Sequence, residues 1–447
     1  MKIPLDDHAA MYVTATRTRR HRPCIGLVRH FDEPVGAEAL LRWATDLARN
    51  PHGFGRRVVR PRVPGARLRW QPAPDLPPMR YEPEPLGAGQ LAALLEDEVS
   101  SQPDPAATAG WRVAAARTEG GGSIVSLWVN HAYGDARAIL STAFDAPRAA
   151  PPSAPAPRWR TGTVDELADV AVRVRSGVGG SVRLGREAAV AWRRRDAAGE
   201  LRRLGPTLSA LRTRDHGVGW RSPRRTLALA RIPVATWEEA ARDHGGSANA
   251  LLLAVVANLL RDARRARGEE LDRPLRLLMP VDLRGAGGGD VTANAVAGAL
   301  VELPGGPPAH GRLDDVRAAS KAAIRAATAG ARDRPAAAGP AGLVDAMRLL
   351  PDALTHRMAV LAQAADGVAS NVGPIPGAVG RLGPHRARSS FLLGGPMMTD
   401  LTVCLGREGD DVTLGVVADA GRLGPGGTLP ARVRGELAGW GLSPVVW

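Results

Sequence analysis

Over residues 123–131 the side chains alternate with period two. Val125, Leu127 and Val129 share one phase with His131; Ile124, Ser126, Trp128 and Asn130 share the other. This alternation predicts a strand, with His131 at its end and in phase with its apolar face. Tyr133-Gly134 breaks the run. Asp135 then precedes residues 136–140, which read as a first helical turn. The order is strand, His, three residues, Asp, helix.

Helical apolar spacing predicts helices over 37–47, 90–99, 234–243, 249–266, 313–329 and 343–363. Ser247 is placed to cap the 249–266 helix, which is apolar enough to be buried. Strand-like runs fall at 224–231, 275–279, 291–303, 401–405 and 412–417, with Asp419 just beyond the last. The segment from Gly110 through Val113 starts a strand that should pair with the His131 strand, and 56–64 is extended and proline-broken. The stretch 370–377, rich in Gly and Pro, leads into the closing strands.

Proline and alanine dominate 149–157, a linker. After it, 164–204 is mostly helical and rich in arginine, interrupted by Gly177, Gly179 and Gly180. These features divide the chain into a lobe over 1–158 carrying the HxxxD pattern, an Arg-rich crossover over 159–215, and a second lobe over 216–447. The predicted class is α/β with mixed sheets.

The chain has 447 residues and a formal charge of +14, carried almost wholly by arginine, since Lys2 and Lys321 are the only lysines. Excess positive charge suits an acidic partner, such as phosphates, an anionic membrane surface or an acidic protein. No nucleic-acid-binding motif accompanies it. Cys24 and Cys404 stand far apart and form no disulfide framework. The first ten residues lack a signal-peptide core, and the apolar run 250–260 is far short of a membrane span. These features predict a cytoplasmic protein, with peripheral membrane contact as the alternative.

Candidate chemistry narrows to His131. There is no GxSxG elbow, no HExxH, no cysteine–histidine metal spacing, and the glycines at 285–289 lack nucleotide-loop spacing. His244-Gly245-Gly246 reads as a helix end ahead of the Ser247 cap. Read alone, His131 is either a strand-end histidine beside an N-cap Asp135 or a general base with a pKa near working pH.

An ordered set of motifs decides between them. His131 to Asp135 resembles the HHxxxDG motif of acyltransferases that share the chloramphenicol-acetyltransferase fold. Those include the condensation domains of nonribosomal peptide synthetases and the wax ester synthase/diacylglycerol acyltransferase family, to which the likeness is nearer. Trp111-Arg112 sits where that branch has PLW(R). Ser247-Ala248-Asn249-Ala250 resembles the start of TxNDVVLA, and Pro280-Val281-Asp282-Leu283-Arg284 resembles PVSLR. Asn294 and Leu303-Pro304 match the Asn and LP that follow. Ser370-Asn371-Val372-Gly373-Pro374 resembles SNVPGP. The set covers roughly 30–430 in family order. Asn130 replaces the first histidine, Ala136 the glycine, Ala250 the aspartate of ND, and Gly373-Pro374-Ile375-Pro376 is rearranged. The chain is thus a divergent likeness of that branch.

The resemblance implies two chloramphenicol-acetyltransferase-like lobes with a substrate tunnel between them. It implies an acyltransferase of lipid or specialised metabolism that moves an acyl group from a thioester to a hydroxyl or amine. The thioester, acyl-CoA or acyl-carrier protein, is a co-substrate, and no bound cofactor or metal is expected. His131 is the implied general base. Asp135 is structural, paired with Arg284, and Gly134 supports the turn. Ser370, Asn371 and Asn249 are candidates for substrate or oxyanion binding. Condensation of carrier-protein-bound substrates is the alternative within the same chemistry; a non-catalytic recruitment domain is the alternative outside it.

Overall fold

The computed structural model describes residues 3–17, 23–50, 53–101, 103–144, 162–193, 224–284, 294–333, 365–395 and 399–447. The first half builds two sheets. Strands β1 (Ile3–Pro4), β3 (Arg56–Val59) and β4 (Arg69–Pro72) form a small antiparallel one in the order β1-β4-β3. Strands β2 (Cys24–Phe31), β5 (Met79–Leu86), β6 (Trp111–Thr118) and β7 (Ser123–Asn130) form most of a six-stranded sheet. Helices α1 (Asp7–Arg17), α2 (Ala37–Ala48), α3 (Ala88–Ser100) and α4 (Ala136–Phe144) accompany them. The expected pairing of the 110–113 segment with the His131 strand holds, with Trp111 opposite Val129 in an antiparallel ladder.

β7 is buried on both faces along nearly its whole length. Val125, Leu127 and Val129 enter the core that α1, α2 and α4 help close, while Trp128 joins a second cluster with Leu227, Leu229, Phe391 and Val417 from the other half. The strand ends at Asn130, so His131 opens a short 3-10 turn rather than closing the strand.

α5 (Thr163–Arg193) runs straight through the three glycines that were expected to interrupt it. Gly177 and Gly180 lie on its buried side. Glu166 and Asp169 accept backbone N–H bonds from Arg62, Val63 and Arg67, which ties α5 to the loop before β4. Its outer face shows Val164, Leu167, Val174, Val178 and Val182, each about half exposed or more.

The second half supplies β8 (Arg225–Pro233), α6 (Val234–Asp243), α7 (Ala248–Ala266), β9 (Leu275–Asp282), β10 (Val296–Leu303), α8 (Asp314–Asp333), β11 (Gly367–Pro374), β12 (Arg381–Leu382), β13 (His385–Gly394), β14 (Leu401–Glu408), β15 (Asp411–Asp419), α9 (Leu429–Gly439) and β16 (Val445–Val446). Seven of these strands form a mixed sheet in the order β10-β9-β11-β14-β15-β8-β16, with β11 parallel to both β9 and β14. α7 is buried nearly all round; Leu251, Leu252 and Leu253 expose nothing, and each such leucine contributes about 1.5–3 kcal/mol. Ser247 caps it as expected, accepting from the Ala250 amide at 3.3 Å.

Sheet membership does not follow the chain division at 216. β12 and β13 join the first half's sheet, β13 pairing antiparallel with β2. There it meets β15 of the other sheet so closely that a Cβ on Gly415 would strike the Leu392 carbonyl. The 370–377 stretch opens within a strand. Ser370 and Asn371 lie inside β11, and the turn chemistry is confined to a bulge after Asn371, where Gly373 takes a φ of 77°. The 149–157 linker, the 285–289 loop, the 343–363 helix and residues 194–204 fall outside the described residues.

Candidate active site

The site begins where β7 stops. The Asn130 side chain accepts from the Ala132 amide (3.0 Å) and donates to Thr16 Oγ1 (2.8 Å) and to the Pro103 carbonyl (3.0 Å). The residue in place of the motif's first histidine thus caps the turn and fastens it to α1. The His131 amide donates to the Pro23 carbonyl at 2.7 Å, just before β2. Gly134 has φ 155°, a region that only glycine enters freely. It turns the chain so that Asp135 starts α4.

Asp135 is 5% exposed and uses both carboxylate oxygens. Oδ1 accepts from the Ala138 amide at 3.0 Å, an N-cap bond. Oδ2 accepts from Arg284 Nη2 at 2.7 Å and from the Ala295 amide at 3.1 Å. The helix cap and the buried ion pair coexist on one carboxylate. Arg284 Nη1 also reaches Asp282 Oδ1 at 3.1 Å, and Asp282 Oδ2 accepts from Arg137 of α4 at 2.6 Å. Charges therefore alternate from Arg137 through Asp282 and Arg284 to Asp135. This network joins the HxxxD turn to the end of β9. Burial opposes the charged form of Arg284, but Asp135 and Asp282 outweigh it and hold the guanidinium pKa above its ordinary value. Asp282 is likewise opposed by burial and held below the ordinary carboxylate range by the Arg284 amide, Arg137 and Arg284.

The imidazole of His131 is half-buried, and Nδ1 has no hydrogen-bond partner among the described residues. Burial pushes its pKa below the ordinary 6.5; its own carbonyl, Asp135 and the Asn294 side chain oppose this without reversing it. Near neutral pH the ring is neutral and can accept a proton. Asn294, matched by the motif order, lies beside it, with Nδ2 3.5 Å from the His131 carbonyl. Tyr12 of α1 stacks on the ring, centroids 4.3 Å apart.

Ser370, Asn371 and Asn249 gather around β11 and α7. Asn371 Nδ2 donates to Asn249 Oδ1 at 2.6 Å, and its Oδ1 accepts from the Gly373 amide at 2.9 Å. One N–H of Asn371 stays free of these bonds and can serve a ligand. Ser370 turns instead to Cys404, whose thiol is pushed up to about 12 chiefly by burial. No hydrogen bond among the described residues joins this trio to His131. Sequence reasoning missed Tyr12 and the role of Asn130. α1 has weak amphipathicity, so nothing local flagged Tyr12; the polar Asn130 at the end of an apolar strand was a legible signal.

No protein-family profile matches the sequence, and no curated protein matches it. Solved structures do. The wax ester synthase/diacylglycerol acyltransferase from Marinobacter aquaeolei VT8 superposes with a TM-score of 0.59 at 15% identity, over 98% of this chain and 98% of that one. The first condensation domain of the CDA synthetase superposes with a TM-score of 0.56 at 15% identity, over 100% and 99%. The same domain of the calcium-dependent antibiotic synthetase, in complex with a substrate analogue, gives 0.56 at 16% identity, over 98% and 96%. The chain shares the fold of these solved structures over nearly its whole length, the fold that the motif order led one to expect.

Proposed function

We propose that this protein is an acyltransferase in which His131 is the general base. The supporting observation is a half-buried imidazole, its pKa lowered by burial, on a turn lashed by Asp135 and Arg284, in a fold shared with a wax ester synthase and with condensation domains. A thioester is already activated, so no enzyme nucleophile is required. His131 takes a proton from an acceptor hydroxyl or amine as the oxygen or nitrogen attacks the thioester carbonyl. The tetrahedral oxyanion collapses, the C–S bond breaks, and the imidazolium returns its proton to the leaving thiolate. The free N–H of Asn371 is the proposed oxyanion donor, Asn249 holds that amide in place, and Asp135 takes no proton.

The donor is acyl-CoA or an acyl-carrier protein. The chain's positive charge suits either, since both are anionic. The exposed valines of α5, flanked by the exposed Arg175 and Arg186, suit peripheral contact with an anionic membrane surface. Among the described residues no helix is long and apolar enough to cross a membrane. Arg194 and Arg195, the rest of that basic stretch, lie outside the described residues. Incubating the protein with labelled acyl-CoA or acyl-carrier protein and a panel of alcohols and amines tests the proposal. Labelled ester or amide supports it; no product with any pair leaves the recruitment-domain reading.

A further inference from the structure

A general base needs its ring held, and the usual holder is a hydrogen bond at the second nitrogen. His131 lacks it. Its Nδ1 is buried and without a partner among the described residues. Asp135, the nearest carboxylate in sequence, is spent on Arg284 and the Ala295 and Ala138 amides. What touches the ring instead is Tyr12, whose plane lies 27° from that of the imidazole with centroids 4.3 Å apart.

Tyr12 is itself fixed. Asp6 accepts from the Ala9 amide at 2.7 Å and starts α1. One turn after Tyr12, the Thr16 hydroxyl donates to the Tyr12 carbonyl at 3.0 Å and accepts from Asn130 Nδ2 at 2.8 Å. Asn130 is the residue before His131. A relay of Asn130, Thr16 and Tyr12 therefore runs from the base of the turn round to the face of the ring.

We propose that Tyr12 is a positioning residue: its ring is a lid that holds the His131 imidazole in one rotamer and keeps one face dry. This rests on the reading of His131 as the base. The groups that face the imidazole are Tyr12 and His8 from α1, Asp135 from its own loop, and Asn294. Burial is the largest influence on its proton affinity, and the lid supplies part of that burial. Burial, Asp135 and Asp6 all push the Tyr12 phenol up, so the lid stays neutral.

The test uses the full chain with Tyr12→Leu, which stays apolar but loses the ring, and Tyr12→Phe, which keeps it. The first readout ignores turnover: the titration of His131 by NMR and the rate at which diethylpyrocarbonate modifies it. In Tyr12→Leu the His131 pKa should rise toward 6.5 and modification should quicken. With an active donor–acceptor pair, kcat should fall about 3- to 10-fold, the worth of one aromatic stack, with KM little changed. Tyr12→Phe should match the wild type in all of these. Thr16→Val, which cuts the relay and spares the ring, should move the titration the same way by less. A folded Tyr12→Leu protein with unaltered His131 titration and modification overturns the proposal; if that variant does not fold, an unaltered Thr16→Val protein does so. Should His131→Ala retain turnover, the base assignment fails, while the titration and modification readouts still judge the lid.

Discussion

Arg284 Nη2 lies 2.7 Å from Asp135 Oδ2, across 149 residues of chain, and both side chains are shielded from water. The pair fixes the turn that carries His131. Asp135→Asn should lose more than a cap alone, about 1 kcal/mol, and less than a fully orphaned buried ion, about 3–5 kcal/mol, because Asp282 still holds Arg284. Arg284→Gln should cost about as much, and the double variant far less than their sum. Urea denaturation of the three variants measures this. Small, additive losses would mean that the cap bond to Ala138 dominates.

The Asp135–Arg284 partnership was legible in the sequence because both residues fall in motifs whose order resembles one family. The core strands were legible for a different reason: alternation and turn residues bracket them. β13 was harder. Nothing in its sequence says that a late strand crosses to pair with β2, because register between distant strands is set by packing. Ser370 and Asn371 were hard to place for a local reason. Asn, Gly and Pro favour turns, yet the parallel partner β14 holds Ser370 and Asn371 in a strand. Tyr12 reaches His131 through the fold alone, from a helix more than a hundred residues earlier.

Glu436 offers a second check, away from the site. It accepts from Asn258 Nδ2 (2.9 Å) and Trp440 Nε1 (2.7 Å) and faces His310 Nε2 at 3.0 Å. Burial raises its pKa to about 6, against the opposing influence of Trp440, Asn258 and His310. A raised carboxyl favours the fold when protonated. Its contribution is complete below about pH 4.5 and is lost as pH rises through about 6. Relative to Glu436→Gln, which cannot titrate, the wild type should lose about 2 kcal/mol across that window. A flat difference between their denaturation midpoints would show that Glu436 stays charged throughout.

His131 has the opposite sign. Burial lowers its pKa, so the fold favours the neutral ring. That stability is present above pH 6.5 and is lost as pH falls through the lowered value. The acid limb of kcat/KM should fall in the same range, below 6.5, because a protonated base cannot accept the acceptor's proton. A limb centred above 6.5 would contradict a buried base.

Thioester turnover by His131→Ala tests the central claim most directly. With the donor and acceptor that the wild type uses, the variant should fold normally and lose about 10²–10⁴-fold in kcat, the usual span for removing a general base. Near-normal turnover by the folded variant would contradict the account.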